Sequence, residues 1–228
     1  MRARFADGSD AAGDILIGCD GINSAARRII DPGAPAPAYA GLINLGGYVR
    51  GVQIDQTPGT YRMIFGKQAF FGYVLAPDGE MWWFANVPEP NEPARDQLAS
   101  RGTDHWRRLT QLFADDVGPA TQLIEATGHH LAASPVHTMP PLPNWHTDRM
   151  IIIGDAAHAP SPTSGQGASL AIEDAVQLAK CLRDLPDRTG RSPRSNRYGV
   201  PAWSGSSNRP PGSTATGLPP APPGSSAT

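Results

Sequence analysis

A strand–loop–helix unit in residues 150–180 constrains the fold of this chain more than any other stretch. An apolar, β-branched run ends abruptly at Gly154 and Asp155, and a loop rich in small residues, prolines and glycines leads into a helix near Gly167. An acid at the carboxyl end of a strand in an open α/β sheet lies where ligands bind. This unit is therefore the first candidate for a binding site.

The start of that helix has the features of a binding loop. Its first backbone N–H groups are unpaired and carry the positive end of the helix dipole, which favours an anionic or electron-rich group. Gly165 and Gly167 let a flat ligand approach the main chain because no Cβ is in the way. The helix also has apolar residues at 4-3-4 spacing, which predict one buried face: Ala171, Ala175, Leu178 and Leu182.

The same theme recurs near the N-terminus. A hairpin turn of the Asp-Gly type precedes residues 14–19, a short apolar strand of the kind that is buried on both faces of a parallel sheet. The strand ends at Asp20, and a helical turn follows that Asn23 or Ser24 could cap. Arg27 lies three residues after Ser24 and therefore shares its helix face.

Between these two stretches the pattern changes to short aromatic and β-branched runs separated by turn signals. Such runs predict an antiparallel sheet of about four strands: residues 42–52, 61–65, 69–75 and 80–87. Helices are predicted at residues 96–113 and 119–126, and residues 131–136 lead back to the final strand. The predicted fold class is α/β (α+β overall), a Rossmann-like three-layer domain with an inserted antiparallel sheet.

This order divides the chain into four parts. Residues 1–38 and 141–185 form the α/β part, and residues 39–140 form the inserted sheet domain. Residues 186–228 are rich in Ser, Pro, Gly and Thr, and they cannot bury enough apolar surface to offset the entropy of ordering. We expect a disordered tail, either native or translated out of frame.

Charge and cysteine content narrow the function classes. A net charge of −2 gives no reason to expect nucleic acid or an anionic membrane as a partner. No apolar run approaches the length needed to span a bilayer. Cys19 and Cys181 lack metal-binding or CxxC spacing, so we expect no metal site and a reducing, cytoplasmic location.

Two motifs carry a resemblance to a known family. Residues 18–27 resemble the DG motif of the single-component FAD-dependent aromatic hydroxylases, the p-hydroxybenzoate hydroxylase-like flavoprotein monooxygenases. Residues 154–158, with Pro162 and residues 165–167, resemble the GD motif of the same proteins. The two motifs occur in the expected order around an aromatic-rich insert, and the resemblance covers residues 1–185. The family's Gly-x-Gly-x-x-Gly unit does not occur in the sequence, so we expect a fragment that lacks it.

The resemblance implies FAD-binding roles for the residues of the GD motif. Asp155, after Gly154, would accept a hydrogen bond from a ribityl hydroxyl, and Pro162 would lie beside the flavin ring. The pyrimidine edge of the ring would face backbone N–H groups of the helix start: Gly165, Gln166, Gly167 and Ala168. From the residues alone, the same positions could be an N-cap acid, a loop proline and an ordinary glycine-rich helix start.

For the DG motif, the resemblance implies contact of Asp20 and Gly21 with FAD and a part in binding NAD(P)H. Arg27 would hold the aspartate region in place, although this acid and base could also merely brace a strand–helix turn. His158 is interpreted as a structural histidine that packs behind the loop. Four aromatic residues of the insert could line a substrate pocket, although strand alternation predicts that about half face the core or the missing partner instead: Phe70, Tyr73, Trp82 and Trp83.

The implied activity is an NAD(P)H-dependent monooxygenase that hydroxylates a small aromatic substrate with O2 through a flavin C4a-hydroperoxide. The cofactor carries this chemistry, so no catalytic side chain is expected. A reductase or dehydrogenase of the same superfamily remains an alternative, because the motifs bind flavin without dictating oxygen chemistry. An inactive fragment that binds no FAD is a second alternative. The Trp-x-Trp-x-Ile-Pro segment of flavin-dependent halogenases does not occur. Neither the substrate, the choice of NADH or NADPH, nor the oligomeric state follows from the sequence.

Overall fold

The computed structural model describes residues 1–100 and 102–184. The predicted tail, residues 186–228, lies outside this range. The chain begins with an antiparallel hairpin at the predicted Asp-Gly turn, followed by a short strand and a short helix. These elements are β1 (Arg2–Arg4), β2 (Asp10–Ala12), β3 (Leu16–Gly18) and α1 (Ala25–Ile30).

An antiparallel sheet with the strand order β5-β6-β7-β4-β8 forms the centre of the described chain. Its strands are β4 (Ala38–Val49), β5 (Tyr61–Phe65), β6 (Phe70–Leu75), β7 (Met81–Pro88) and β8 (Ala132–Thr138). The prediction of about four strands is therefore wrong by one, because β8 pairs with β4. Pro135 obscures this strand in the sequence, since proline weakens a strand pattern and is tolerated mainly at a sheet edge.

One face of this sheet packs against helices. These helices are α2 (Arg95–Ser100), α3 (Gly102–Leu112) and α4 (Ala120–Thr127). The main core lies between sheet and helices, and its largest fully buried members include Trp83, Phe71 and Phe113. Trp83 stacks on Phe71 with ring centroids 5.2 Å apart, and its indole N–H donates to the Thr127 hydroxyl across 2.8 Å. The alternation of β7 thus directs Trp83 into the core and Trp82 to the other face.

The second, smaller core surrounds a two-stranded parallel pair. Strand β9 (Met150–Ile152) pairs with β3, and α5 (Asp155–His158), a 3₁₀ turn (Pro162–Ser164) and α6 (Gly167–Asp184) follow it. The sequence predicted a loop where α5 forms, because a single helical turn is too short to show a 3.6-residue period. The predicted start of α6 is confirmed.

Two predictions of burial in this part are wrong. Ile17 of β3 is 41% exposed, because within the described residues β9 is the only strand that pairs with β3. The predicted face of α6 contains no fully buried residue: Ala171, Leu178 and Leu182 are half-buried, and Ala175 is exposed. Both surfaces lack the layer that a larger α/β domain would pack against them. Within the described ranges, no helix has the length and apolarity needed to cross a lipid bilayer.

Candidate functional site

The parallel pairing of β3 and β9 brings the two motif turns together. Gly18 lies opposite Ile152, and the Gly18 carbonyl accepts a hydrogen bond of 3.0 Å from the N–H of Ile153. A Cβ at Gly18 would lie 2.6 Å from the Cβ of Ala26 and 2.9 Å from Cγ2 of Ile152. Only glycine therefore allows α1 and β9 to approach this closely. The carboxyl ends of both strands meet at one edge.

Asp20 is held by the N-terminus of α1. Its carboxylate accepts hydrogen bonds from the N–H groups of Ala25 at 2.7 Å and Ala26 at 3.0 Å, and from the Ser24 hydroxyl at 2.5 Å. Ser24 is the N-cap of α1, as the sequence allowed. Desolvation alone would raise the pKa of Asp20, but these hydrogen bonds outweigh it and hold the pKa below its ordinary value.

Arg27 joins the two turns from inside the molecule. Its side chain is buried, and Nη1 donates to the carbonyl of Ala156 in α5 across 2.9 Å. Nη2 donates to the carbonyl of Ile22 across 2.6 Å. Burial lowers the pKa of the guanidinium, with a smaller repulsive contribution from Arg28. The side chain thus acts as a brace between the DG turn and the GD turn.

The GD turn is fixed from the opposite side by Asp174 of α6. Gly154 adopts φ +60°, and its N–H donates to Oδ2 of Asp174 across 2.8 Å. A Cβ at Gly154 would lie 3.1 Å from the Cβ of Ala171, so α6 passes directly over the turn. A glycine is needed here both for the positive φ and for the close approach.

Asp174 also binds the histidine of the motif. Nε2 of His158 lies 2.6 Å from Oδ2 of Asp174, and the imidazole stacks on Trp145 with ring centroids 5.3 Å apart. Burial acts to lower the pKa of His158, but the hydrogen bond and negative charge of Asp174 prevail and raise it above its ordinary value. The interpretation of His158 as a structural histidine agrees with this half-buried position.

Asp155 differs from Asp20 and Asp174 because its carboxylate interacts with the described residues through its charge alone, which contributes to the raised pKa of His158. The residue is exposed at the first position of α5, and no hydrogen bond joins its side chain to the described part of the chain. Its Oδ1 lies 3.9 Å from where a Cβ of Gly167 would stand. The carboxylate therefore lies beside the start of α6 and is available to a ligand.

The loop that leads into α6 exposes its main chain at the same place. Pro162 begins the 3₁₀ turn, Gly165 closes it with φ +64°, and the N–H of Gly165 donates to the Pro162 carbonyl across 3.1 Å. Gln166 and Ala168 are exposed and Gly167 is half-buried. The positive end of an 18-residue helix thus opens beside Asp155.

The sheet face opposite the helices lies next to this loop. We call it the open face; it is formed by alternate residues of the five strands: Asn44, Gly46, Tyr48, Tyr61, Met63, Phe65, Phe70, Gly72, Trp82, Phe84, Asn86 and Ser134. A Cβ at Gly165 would stand 3.4 Å from Cε of Met63. The GD loop therefore touches the open face at Met63.

Most predicted site residues lie along one edge of the fold. Asp20, Gly21 and the GD loop surround the ends of β3 and β9, whereas Arg27 is buried behind them.

Sequence reasoning missed Asp174, although its position contained a signal. It lies three residues after Ala171 and four before Leu178, so it is an acid within the row that was predicted to be buried.

The aromatic residues divide as the alternation of strands requires. Trp83 and Tyr73 belong to the main core, whereas Phe70 and Trp82 belong to the open face. Met63 was not singled out from the sequence, because its contact with Gly165 depends on the folded arrangement of the insert and the GD loop.

Comparison with known proteins agrees with these observations. Residues 7–198 match a family described as FAD binding domain. The chain is 35% identical over 189 residues to the aurachin C monooxygenase/isomerase of Stigmatella aurantiaca, covering 80% of this chain and 46% of that protein. It is 31% identical over 194 residues to the FAD-dependent urate hydroxylase of Klebsiella oxytoca, covering 83% of this chain and 48% of that protein.

Solved structures show the same fold. The chain superimposes on Klebsiella pneumoniae HpxO complexed with FAD and uric acid with a TM-score of 0.66 and 31% identity, covering 82% of this chain and 47% of that one. A salicylate hydroxylase substrate complex gives a TM-score of 0.63 and 25% identity, with 80% and 49% covered. The chain thus spans about half the length of these relatives.

Proposed function

This chain belongs to the FAD-binding family of aromatic-hydroxylase-like flavoprotein monooxygenases, and from that premise we propose that it binds the ribityl and ring half of FAD at the GD turn. The observation that carries the proposal is the exposed carboxylate of Asp155 beside the N-terminus of α6. A carboxylate that accepts no hydrogen bond from the described residues suits the hydroxyl groups of a ribityl chain.

The surrounding residues fit the rest of this half of the cofactor. The N–H groups of Gly165 and Gln166 already donate to the Pro162 carbonyl and the Ser164 hydroxyl. The N–H groups of Gly167 and Ala168, with the helix dipole, therefore favour the electron-rich edge of the flavin ring, and Pro162 offers an apolar contact beside it. Gly154 and Gly21, with φ +60° and +75°, hold the two turns that flank the site. Bound FAD would supply the redox and oxygen chemistry; the protein positions it and excludes water.

Asp20 and Arg27 support the site indirectly in this proposal. The hydrogen bonds of Asp20 fix the DG turn to α1, and those of Arg27 fix α5, so both hold the GD turn in place. The DG turn would also contribute to binding of FAD and NAD(P)H, as its resemblance to the family implies. Our proposal places the substrate, a small aromatic molecule, on the open face, because the GD loop meets this face at Met63.

The complete proposed reaction is hydroxylation of that substrate with O2 and NAD(P)H as co-substrates. Aurachin C monooxygenase and the urate hydroxylases support this class of reaction by name. We propose a cytoplasmic enzyme in which residues 1–38 and 141–185 contribute to FAD binding and residues 39–140 contribute to substrate binding.

Flavin titration of the purified chain tests the cofactor proposal. We expect quenching of flavin fluorescence, with riboflavin binding about as well as FAD, because the residues proposed to bind contact only the ribityl chain and the ring. Asp155→Asn should weaken binding about tenfold or more, since hydrogen bonds to charged groups contribute about 1.5–3 kcal/mol. Asp148→Asn, at an exposed acid before β9, should leave affinity unchanged.

Two results would contradict the proposal. One is absence of quenching by both flavins while circular dichroism shows a folded chain. The other is equal affinity of the Asp155→Asn and Asp148→Asn variants. If flavin binds, incorporation of oxygen from isotopically labelled O2 into the product during NAD(P)H oxidation distinguishes a monooxygenase from a reductase or dehydrogenase, because only the former transfers an oxygen atom from O2 to the substrate.

A further inference from the structure

The open face carries no ionic group within strands β4 to β8. Arg62 is the one Lys, Arg, Asp or Glu within these strands. It pairs in register with Tyr73, which belongs to the main core and so marks the helix side of the sheet. At one end of the sheet, Arg50 is already paired with Asp78 at 2.7 Å and Glu80 at 3.3 Å. The described strands thus offer a ligand on this face no unpaired charge.

The larger part of the open face is aromatic. Tyr61 stacks on Phe84 with ring centroids 6.3 Å apart and planes 15° apart, and Phe84 lies 5.3 Å from Trp82 and 5.6 Å from Phe70. The Tyr61 hydroxyl lies over Gly72, where a Cβ would collide with it. Gly72 thus lets Tyr61 lie flat beside Phe84, and the adjoining rings favour a flat apolar ligand that can stack on them.

A polar strip borders these rings. The row that runs across the sheet from Phe65 through Phe70 continues as Asn86, Asn44 and Ser134. Nδ2 of Asn44 donates to Oδ1 of Asn86 across 2.8 Å. Asn86 is 2% exposed, and its own Nδ2 is shielded from solvent without a hydrogen-bond partner in the described chain. Leaving a buried donor without an acceptor is unfavourable.

We propose that the open face selects uncharged, planar aromatic substrates, and that Asn86 is the specificity-determining residue, donating its free amide N–H to an acceptor oxygen on the substrate. This inference rests on the proposed function, since it concerns the substrate of the same site. Asn44 positions Asn86 by occupying its Oδ1. Asn44 is half-buried and Asn86 is buried, so the pair lies where the covered part of the face meets its more exposed part.

Charge selection follows from desolvation. An anionic substrate placed on these rings would lose its hydration without gaining a cation, and burial of an unpaired charge is strongly unfavourable. A neutral carbonyl loses less hydration and regains a hydrogen bond from Asn86. The same donor gives no advantage to a hydrocarbon, so an acceptor oxygen should distinguish two ligands of equal shape.

Equilibrium dialysis of the full chain with three probes of similar size tests this inference. N-methyl-2-quinolone is neutral and carries an acceptor oxygen, 1-methylnaphthalene has nearly the same shape without the oxygen, and 1-naphthoate carries a negative charge. We expect the quinolone to bind about tenfold more tightly than methylnaphthalene, as one hydrogen bond to a buried donor allows. Naphthoate should bind most weakly.

Two variants assign the effect to named residues. Asn86→Leu should abolish the preference for the quinolone over methylnaphthalene, whereas Asn91→Leu, at an exposed asparagine outside the sheet, should preserve it. Met63→Lys places a cation on the open face at a side chain that is already 47% exposed, so it should fold normally and strengthen naphthoate binding several-fold. This second variant keeps the inference testable if Asn86→Leu does not fold.

Failure of this inference is distinguishable from failure of the proposed function, because ligand binding and flavin binding are measured separately. If flavin binds as proposed but naphthoate binds wild type as tightly as the quinolone does, charge selection is wrong and the flavin site stands. An unchanged quinolone preference in Asn86→Leu overturns the role of Asn86. Absence of binding by all three probes to a folded chain overturns the inference as a whole.

Discussion

Nη1 of Arg27 donates a hydrogen bond of 2.9 Å to the carbonyl oxygen of Ala156, which lies 129 residues later in the chain. The guanidinium is 2% exposed, and its second bond goes to the carbonyl of Ile22. A single buried side chain thereby connects the turn after β3 with the turn after β9. The relative position of the two motifs depends on this connection.

Arg27→Met should lower the free energy of unfolding by about 2–3 kcal/mol, because it removes two charge-assisted hydrogen bonds and leaves buried carbonyl groups unpaired. Chemical denaturation followed by circular dichroism measures the loss. Arg28→Met is the matched control, since Arg28 is exposed and its hydrogen bond to the Asn23 carbonyl is at the surface. Equal losses in the two variants would show that Arg27 does not brace the turns.

Gly18→Ala should destabilise the fold by about 1–3 kcal/mol, the usual cost of overpacking a filled interior. The added Cβ would stand 2.6 Å from Ala26 and 2.9 Å from Ile152, so α1 must move away from β9. Gly13→Ala is the control, because its nearest neighbour would be a backbone oxygen at 3.6 Å. A thermal denaturation midpoint unchanged by Gly18→Ala would contradict the close packing described here.

The placement of the motifs followed from the sequence because each depends on neighbouring residues. Asp20 lies four residues before Ser24, the N-cap of α1. Gly154 and Asp155 directly follow an apolar strand. Local patterns were therefore sufficient to locate both motifs. The Asp-Gly hairpin and the start of α6 at Gly167 were predictable for the same reason.

Features that depend on distant contacts could not be predicted. The pairing of β8 with β4 brings together residues such as Ser134 and Asn44, and no local pattern specifies that partner. The burial predicted for Ile17 and for one face of α6 assumed layers that the described chain does not contain. The partners of Arg27 could not be read from the sequence either, because Ala156 offers only its backbone carbonyl.

His158 should stabilise the fold in a pH-dependent way. The pKa of His158 is higher in the folded protein than in the unfolded chain, where it is about 6.5. Protonated His158 therefore adds to the free energy of unfolding at pH values below about 6.5, and this stabilisation is lost as the pH rises through the pKa of the folded protein. His158→Gln should therefore destabilise the chain more at about pH 5.5 than at about pH 8.5. Denaturation midpoints of both proteins across this window measure the difference.

The partner of His158 supplies the control for that pH effect. In an Asp174→Asn background, the penalty of His158→Gln should depend much less on pH, because the carboxylate that raises the pKa is gone. A pH dependence of equal size in both backgrounds would assign it to another group. Any constant penalty that remains would include the lost stacking of His158 on Trp145.

Gly167→Val should weaken flavin binding while leaving stability almost unchanged. A Cβ at Gly167 would have no neighbour closer than 3.9 Å, so the fold tolerates a side chain there, but the new methyl groups would cover the backbone N–H groups that we assign to the ring edge. Ala179→Val, at an exposed position of the same helix, controls for the lower helix propensity of valine. We expect riboflavin affinity to fall at least tenfold in the first variant and to stay constant in the second. Equal affinities would place the flavin away from the start of α6, even if Asp155 proves essential.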